Sequence, residues 1–373
     1  MPVTSLLNVD ERRIAFFLPN LHGGGAEKTT VNLLKDMSTR DIFLDLVLAD
    51  ADGPYLEQVP KDVRLFNFAQ KRVVKTILPL SNYLRKEKPY ALVSQLGHAS
   101  VVAVVARQLA QTKTRLVLIE QSHLSSTKSK LLRSKLVLPL MKLLYPRAEA
   151  VAGVSEGVAR DVEIQLNLPK GKVSVINNVV VDDELIAKSK APLDHPWLQA
   201  GSPPVFLAVG RLTEQKDFFT LIKAFELVRK QRPVRLIILG EGNYRSELEA
   251  MVSKLGISED VSLPGFVKNP YAYMSRASAF VLSSRWEGLP TVLIEAMACG
   301  CPVVSTDCPS GPKEILEAGF YGPLVSVGDV KAISSAMLQV LDAPVNRDVL
   351  IQRAMHYSTE RLVPEYLTLL GYQ

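Results

Sequence analysis

At 373 residues the chain exceeds the size at which one hydrophobic core keeps growing, so two domains are the default expectation. Apolar residues make up 47% and charged residues 22%, a balance that excludes a disordered chain. The formal net charge of +6 is unevenly placed: residues 71–147 hold fifteen basic and two acidic side chains, whereas residues 196–373 hold seventeen and eighteen. A concentrated field of that kind attracts an anionic surface. The opening MPVTSLLNVDERR has too short an apolar run for a secretory signal, and no stretch reaches about 18 apolar residues, which predicts a cytoplasmic chain without a spanning helix. Cys299, Cys301 and Cys308 lack both C-x2-C spacing and a nearby His. They read as buried free thiols rather than as metal ligands.

In chain order, the first half offers strands at Arg13–Leu18, Phe43–Leu48, Arg64–Phe68, Ala91–Leu96, Arg115–Ile119, Ala150–Val154 and Lys172–Ile176. Amphipathic stretches such as Glu27–Met37 and Val101–Gln111 lie between them, an alternation that predicts βαβ units and a parallel sheet. Residues 191–204, with four prolines and a glycine, read as a linker. A second series follows: Val205–Val209, Arg235–Leu239, Val261–Leu263, Ala279–Leu282, Pro302–Ser305 and Leu324–Val327. The expectation is an α/β protein with two doubly wound domains, residues 1–190 and 205–356, and a helix over Thr359–Leu370. Ligands of such sheets bind at the carboxyl ends of the strands, so a cleft between facing domains is expected.

The first strand ends in Leu21-His22-Gly23-Gly24-Gly25-Ala26-Glu27. Three glycines before a helix allow close backbone approach by a ligand or merely a tight turn; the G-x-G-x-x-G dinucleotide fingerprint is absent. His123, just past the strand at Arg115–Ile119, could hydrogen-bond a sugar hydroxyl or an acceptor. Thr127–Arg147 mixes leucines with Lys128, Lys130, Arg133, Lys135, Lys142 and Arg147 and has no acidic residue, which suits a membrane interface or a packed helix with a basic face. No nucleic-acid module is evident.

In the second half, Gly210, Arg211 and Lys216 follow a strand; a guanidinium fork and an ammonium suit a diphosphate. Gly242 and Val267 follow the next two strands and could offer backbone groups. The sharpest signal is Trp286-Glu287-Gly288-Leu289-Pro290-Thr291-Val292-Leu293-Ile294-Glu295. Pro290 reads as the first residue of a helix, and free N–H groups around Leu289 and Thr291 suit a phosphate. Glu287 and Glu295 are placed to accept hydrogen bonds from a diol; a helix-dipole carboxylate beside a surface Glu is the structural alternative.

On these residues the chain resembles family 4 of the retaining glycosyltransferases, which have the GT-B fold. The resemblance covers nearly the whole chain. It implies that Arg211 and Lys216 hold a donor diphosphate, that Glu295 binds the ribose, and that Glu287 and His123 serve the reacting sugar. The glycine turn at 23–25 would face the acceptor or the phosphates. No metal or cofactor is implied, and the final helix, about 357–373, would complete the first domain. The Gly-Gly-Gly-Ala-Glu-Lys opening resembles bacterial enzymes that act on polyprenyl-diphosphate-linked glycans or surface polysaccharides. The expected partners are thus a nucleotide-sugar donor (a UDP-sugar), a glycan or lipid-linked acceptor, and an anionic inner membrane face, with no nucleic acid. A non-catalytic sugar-nucleotide binder and an epimerase-type enzyme are the competing readings.

Overall fold

The computed structural model describes residues 12–125 and 132–372, and for 132–136 the backbone only. The chain divides into two compact units, residues 1–179 with 359–373, and residues 180–358.

The first unit is built on seven strands: β1 (Ile14–Leu18), β2 (Leu44–Leu48), β3 (Arg64–Asn67), β4 (Ala91–Ser94), β5 (Arg115–Glu120), β6 (Ala150–Gly153) and β7 (Ser174–Val175). All pair in parallel, in the order β3-β2-β1-β4-β5-β6-β7. Every residue of β1 is buried, because a central parallel strand is covered on both faces. The helices between the strands are α1 (Gly25–Ser38), α2 (Ile77–Glu87), α3 (Gly97–Ala110), α4 (Leu132–Leu144) and α5 (Glu156–Leu166). Strand order reverses between β1 and β4, so the carboxyl ends of these two strands flank a switch point.

The second unit holds β8 (Val205–Val209), β9 (Arg235–Leu239), β10 (Val261–Gly265), β11 (Ala279–Leu282), β12 (Val303–Thr306) and β13 (Leu324–Val325), all parallel in the order β10-β9-β8-β11-β12-β13. Its helices are α6 (Asp183–Ser189), α7 (Phe218–Arg229), α8 (Arg245–Lys254), α9 (Tyr271–Met274), α10 (Thr291–Ala298), α11 (Pro312–Ile315), α12 (Val330–Asp342) and α13 (Arg347–Ala354). The core joins Phe206, Leu236 and Ile238 of the sheet to Phe225 of α7 and Met337 of α12. The switch point here lies between β8 and β11.

All thirteen expected strands are present; β8, β9 and β11 match at both ends and the others shift by one or two residues at an end, with the largest overall trimming at β7, an edge strand of two residues. The unit boundary differs from expectation. It falls after Val179, not in the proline-rich stretch 191–204. Residues 180–204 are packed on the second unit: Asn269 donates to Lys188 O (2.9 Å), Ser275 to Ser189 O (2.7 Å) and Arg276 to Ala191 O (2.9 Å). His195 meets the Tyr273 ring edge-on, and the Arg235 guanidinium lies over Trp197. The prolines shape a surface-hugging segment here rather than a free linker. The last helix, α14 (Thr359–Leu370), belongs to the first unit, where it packs on α1. There the Tyr90 hydroxyl donates to Gly371 O (2.5 Å) and Arg115 donates to Leu369 O (3.3 Å).

Candidate functional site

In the second unit, β8 delivers Gly210 and an exposed Arg211 at its carboxyl end, and a short 3-10 turn then carries Gln215 and Lys216. The turn closes on Asp217, held at φ +46°, whose carboxylate caps α7 by accepting the Thr220 N–H (3.4 Å) and hydroxyl (2.9 Å). Across the switch point, β11 delivers Ser283, Ser284 and Glu287. Lys216 Nζ lies 2.6 Å from Glu287 Oε1, and the two side chains are only 14% and 8% exposed. The same carboxylate accepts from Ser284 Oγ (2.6 Å) and from Gln215 Nε2 (3.3 Å). Backbone bonds join the two loops as well: Arg285 N–H donates to Gln215 O (2.8 Å), and Ser283 Oγ donates to Lys216 O (2.7 Å). Arg285 Nε also donates to Asp217 Oδ2 (3.0 Å).

Glycines at 210, 240 and 265 end three neighbouring strands and let these loops close. A side chain at 210 would press on the Lys216 stem at 3.1–3.2 Å, so Gly210 is what allows Lys216 to fold back toward Glu287. Gly242 packs directly on the Leu212 backbone, with its missing Cβ 2.6 Å from Leu212 N, so its role in the structure is loop packing.

Helix α10 begins at Thr291, with Pro290 as its N-cap rather than its first residue and with no side-chain cap. Leu289 is buried, Thr291 half-buried, and Glu295 on the second turn is 4% exposed. Val267 is half-buried just beyond β10, beside an exposed Phe266. All the expected residues of this unit therefore lie at carboxyl ends of its strands or on the helix that follows β11. Sequence reading treated Lys216 as a phosphate ligand and Glu287 as a sugar ligand, acting separately; the structure brings them into one ion pair. It missed Gln215, Ser284 and Ser283. The only signal for them is that they adjoin Lys216 and the end of β11. Cys308 is also missed as a neighbour of the site: its thiol is pushed up to about 12 by burial and by the Glu287 carboxylate.

In the first unit the glycine turn leads into α1, with Gly23 at φ +107° and Gly24 as an N-cap without side-chain cap. The Glu27 carboxylate folds back over Gly24, so a negative charge already meets the first turn of α1. His22 pairs with Asp52 (3.2 Å) on the surface. His123 lies past β5 and is paired with Asp161 of α5 at 3.6 Å. A directed chain of side chains runs nearby: Asn178 donates to Gln121 (2.9 Å), Gln121 to Gln95 (2.9 Å), and Gln95 to the Thr30 hydroxyl (2.8 Å). Sequence reading foresaw none of Asp161, Gln95, Gln121 or Asn178, which stand up to 148 positions apart between Thr30 and Asn178. Lys128 and Lys130 lie outside the described residues. Among those described, no three His, Cys, Asp or Glu side chains converge as a metal-ligand set, and the three cysteines are buried and unbridged.

Two doubly wound parallel-sheet domains in one chain, with polar loops at each switch point, define a protein of the GT-B fold. The chain belongs to the glycosyltransferases: residues 192–357 match the family model for glycosyl transferases group 1, and residues 23–184 match that for glycosyltransferase family 4. It is 31% identical over 252 residues to an uncharacterized glycosyltransferase of Methanocaldococcus jannaschii, a match that spans 66% of this chain and 62% of that protein. It is 29% identical over 342 residues, 89% of this chain and 90% of the relative, to N-acetylgalactosamine-N,N'-diacetylbacillosaminyl-diphospho-undecaprenol 4-alpha-N-acetylgalactosaminyltransferase of Campylobacter jejuni. Among solved structures, Anabaena HepE in complex with UDP superposes with a TM-score of 0.73 at 22% identity, covering 96% of this chain and 97% of that one.

Proposed function

We propose that this glycosyltransferase is retaining and metal-independent, and moves a sugar from a UDP-sugar to a glycan or polyprenyl-diphosphate-linked acceptor in cell-surface glycan synthesis. The observation that carries the reading is the joined pair of loops after β8 and β11, with Arg211, Lys216 and the Glu287 carboxylate beside the start of α10. Charge builds on the diphosphate as the glycosidic bond breaks. Arg211, Lys216 and the Thr291 and Val292 N–H groups at the start of α10 are the groups that would meet it. Glu287 holds the Lys216 ammonium in place and presents negative charge where the anomeric carbon becomes positive. Glu295 would grip the ribose, and His123 a hydroxyl of the transferred sugar. The relatives support the substrate classes: the Campylobacter enzyme is named for a diphospho-undecaprenol-linked acceptor, and HepE binds UDP.

The proposal extends to the cytoplasmic face of the membrane. Exposed Val74 and Leu78 flank Lys75 around the start of α2, and exposed Leu140 and Leu143 flank Lys142 on α4; both helices pack on α3, and apolar side chains beside basic ones suit anionic lipid. Among the described residues no helix is long and apolar enough to cross a membrane.

The direct test incubates the protein in EDTA with UDP-, GDP- and ADP-sugars and a polyprenyl-diphosphate glycan, and follows nucleoside diphosphate release and the anomeric configuration of the product. UDP release with an α-linked product from an α-linked donor is expected. Binding without release would mark a non-catalytic sugar-nucleotide binder, and an absolute need for Mg²⁺ or Mn²⁺ would overturn metal independence.

A further inference from the structure

The loop after β5 that carries His123 is held from two sides. On one side Gln121 exchanges hydrogen bonds with Gln95 and Asn178, both at 2.9 Å. On the other, a single carboxylate takes up the rest of the loop. Asp161 Oδ2 accepts the N–H groups of Leu124 (2.6 Å) and Ser125 (3.2 Å), while Oδ1 faces His123 Nδ1 at 3.6 Å. The His123 and Asp161 side chains are 13% and 9% exposed, so water screens the pair weakly. Burial pushes the Asp161 carboxyl upward, but the bonds from His123 and Ser125 outweigh it and hold the group below the usual carboxylate range.

An imidazole beside a fixed carboxylate keeps its proton on the nitrogen that faces it. Here that nitrogen is Nδ1, which also has Ser125 Oγ at 3.5 Å, and Nε2 is the ring's other nitrogen. A loop anchor alone would need only the two backbone bonds. The third contact, to the ring, carries the added consequence.

We propose that Asp161 is a positioning residue for sugar transfer, acting through His123: it sets the tautomer and orientation of the imidazole, so that Nε2 is the atom that meets the substrate hydroxyl. This inference rests on the reading of His123 as a residue of the transfer site. Their pairing is not visible in the sequence, because 38 positions separate them. They meet because β5 and β6 are neighbours in the sheet and α5 follows β6.

Two measurements test it. The chain has five histidines, so long-range ¹H–¹⁵N spectra of the full protein resolve each ring. His123 in the wild type is expected to be protonated on Nδ1 when neutral, with loss of that preference in Asp161→Asn. That variant keeps a side-chain oxygen for the Leu124 and Ser125 N–H groups, so the loop stays anchored. With donor sugar and acceptor, Asp161→Asn should lower kcat by at least about tenfold and leave the donor KM within about twofold. In a His123→Ala background the same substitution should change nothing further, since groups that act as a unit are non-additive. A wild-type His123 protonated on Nε2, or an undiminished effect of Asp161→Asn without His123, overturns the proposal. Full activity of His123→Ala would instead sink the placement of His123 in the transfer site, an outcome the ring spectra distinguish.

Discussion

At the scale of single residues, the Lys216–Glu287 pair changes what substitution should do. Each partner is nearly buried and each supplies the other's main compensating charge. Removing one leaves a buried charge unpaired, at a cost of about 3–5 kcal/mol for such pairs. Lys216→Met should therefore lower turnover both by losing a phosphate ligand and by releasing Glu287. The loss in the double variant Lys216→Met/Glu287→Gln should be smaller than the product of the single losses. Steady-state kinetics on the four proteins measures this directly; multiplicative losses would mean that the pair is broken in the working enzyme. Glu295→Gln, by contrast, should mainly raise the donor KM, because a ribose contact changes little during the reaction.

A second residue-scale prediction concerns Glu120, a fully buried carboxyl at the end of β5 that accepts from the Tyr145 hydroxyl. Burial raises its pKa from 4.5 to about 7, against the opposing pull of that bond. The neutral form is favoured by folding, so its stabilising contribution is full below pH 4.5 and is lost as pH rises through 7. The span corresponds to about 3 kcal/mol. Glu120→Gln, which is neutral at every pH, should melt higher relative to wild type at pH 8 than at pH 5. Melting curves that stay parallel at the two pH values would show that Glu120 titrates normally.

At the scale of elements, the strand ends of the second unit depend on backbone contact. Gly240 sits at φ +135°, and a Cβ there would overlap the Gly210 carbonyl oxygen. Gly256 also has positive φ, +67°, but open space where a Cβ would go. Gly256→Ala should cost about 1–2 kcal/mol, the ordinary penalty of a left-handed residue. Gly240→Ala should cost more and should also weaken donor binding, because the shift passes through Gly210 to Lys216. Thermal melts with and without the nucleotide sugar separate the two. Equal losses at both sites would mean that the β8 and β9 ends relax freely.

At the scale of the whole molecule, the excess of basic residues over 71–147 predicts reversible binding to anionic vesicles. Each basic residue near the surface contributes about 1 kcal/mol, screened within a Debye length. Raising the salt concentration should release the protein, as should neutralising Lys128, Lys130, Arg133 and Lys135. Equal binding to neutral vesicles would rule out an electrostatic mechanism.

Local patterns carried most of the architecture. Short apolar runs alternating with amphipathic stretches determined thirteen parallel strands and two doubly wound units, because burial on both faces leaves the same imprint wherever such a sheet forms. The loops at strand ends were legible too, since Gly210, Arg211, Lys216, Glu287 and the glycine turn each announce themselves by residue type. What only the tertiary structure decided was which of these side chains meet. In the order β10-β9-β8-β11, strands remote in sequence become neighbours, and that adjacency joins Lys216 to Glu287 across 71 positions. A shorter route, the adjacency of the consecutive strands β5 and β6 with α5 following β6, joins His123 to Asp161. The boundary of the units was decided there as well: the prolines of 191–204 mark irregular backbone equally well whether it swings free or packs, and contacts such as the bonds to Asn269, Ser275 and Arg276 bind the segment that includes it to the second unit.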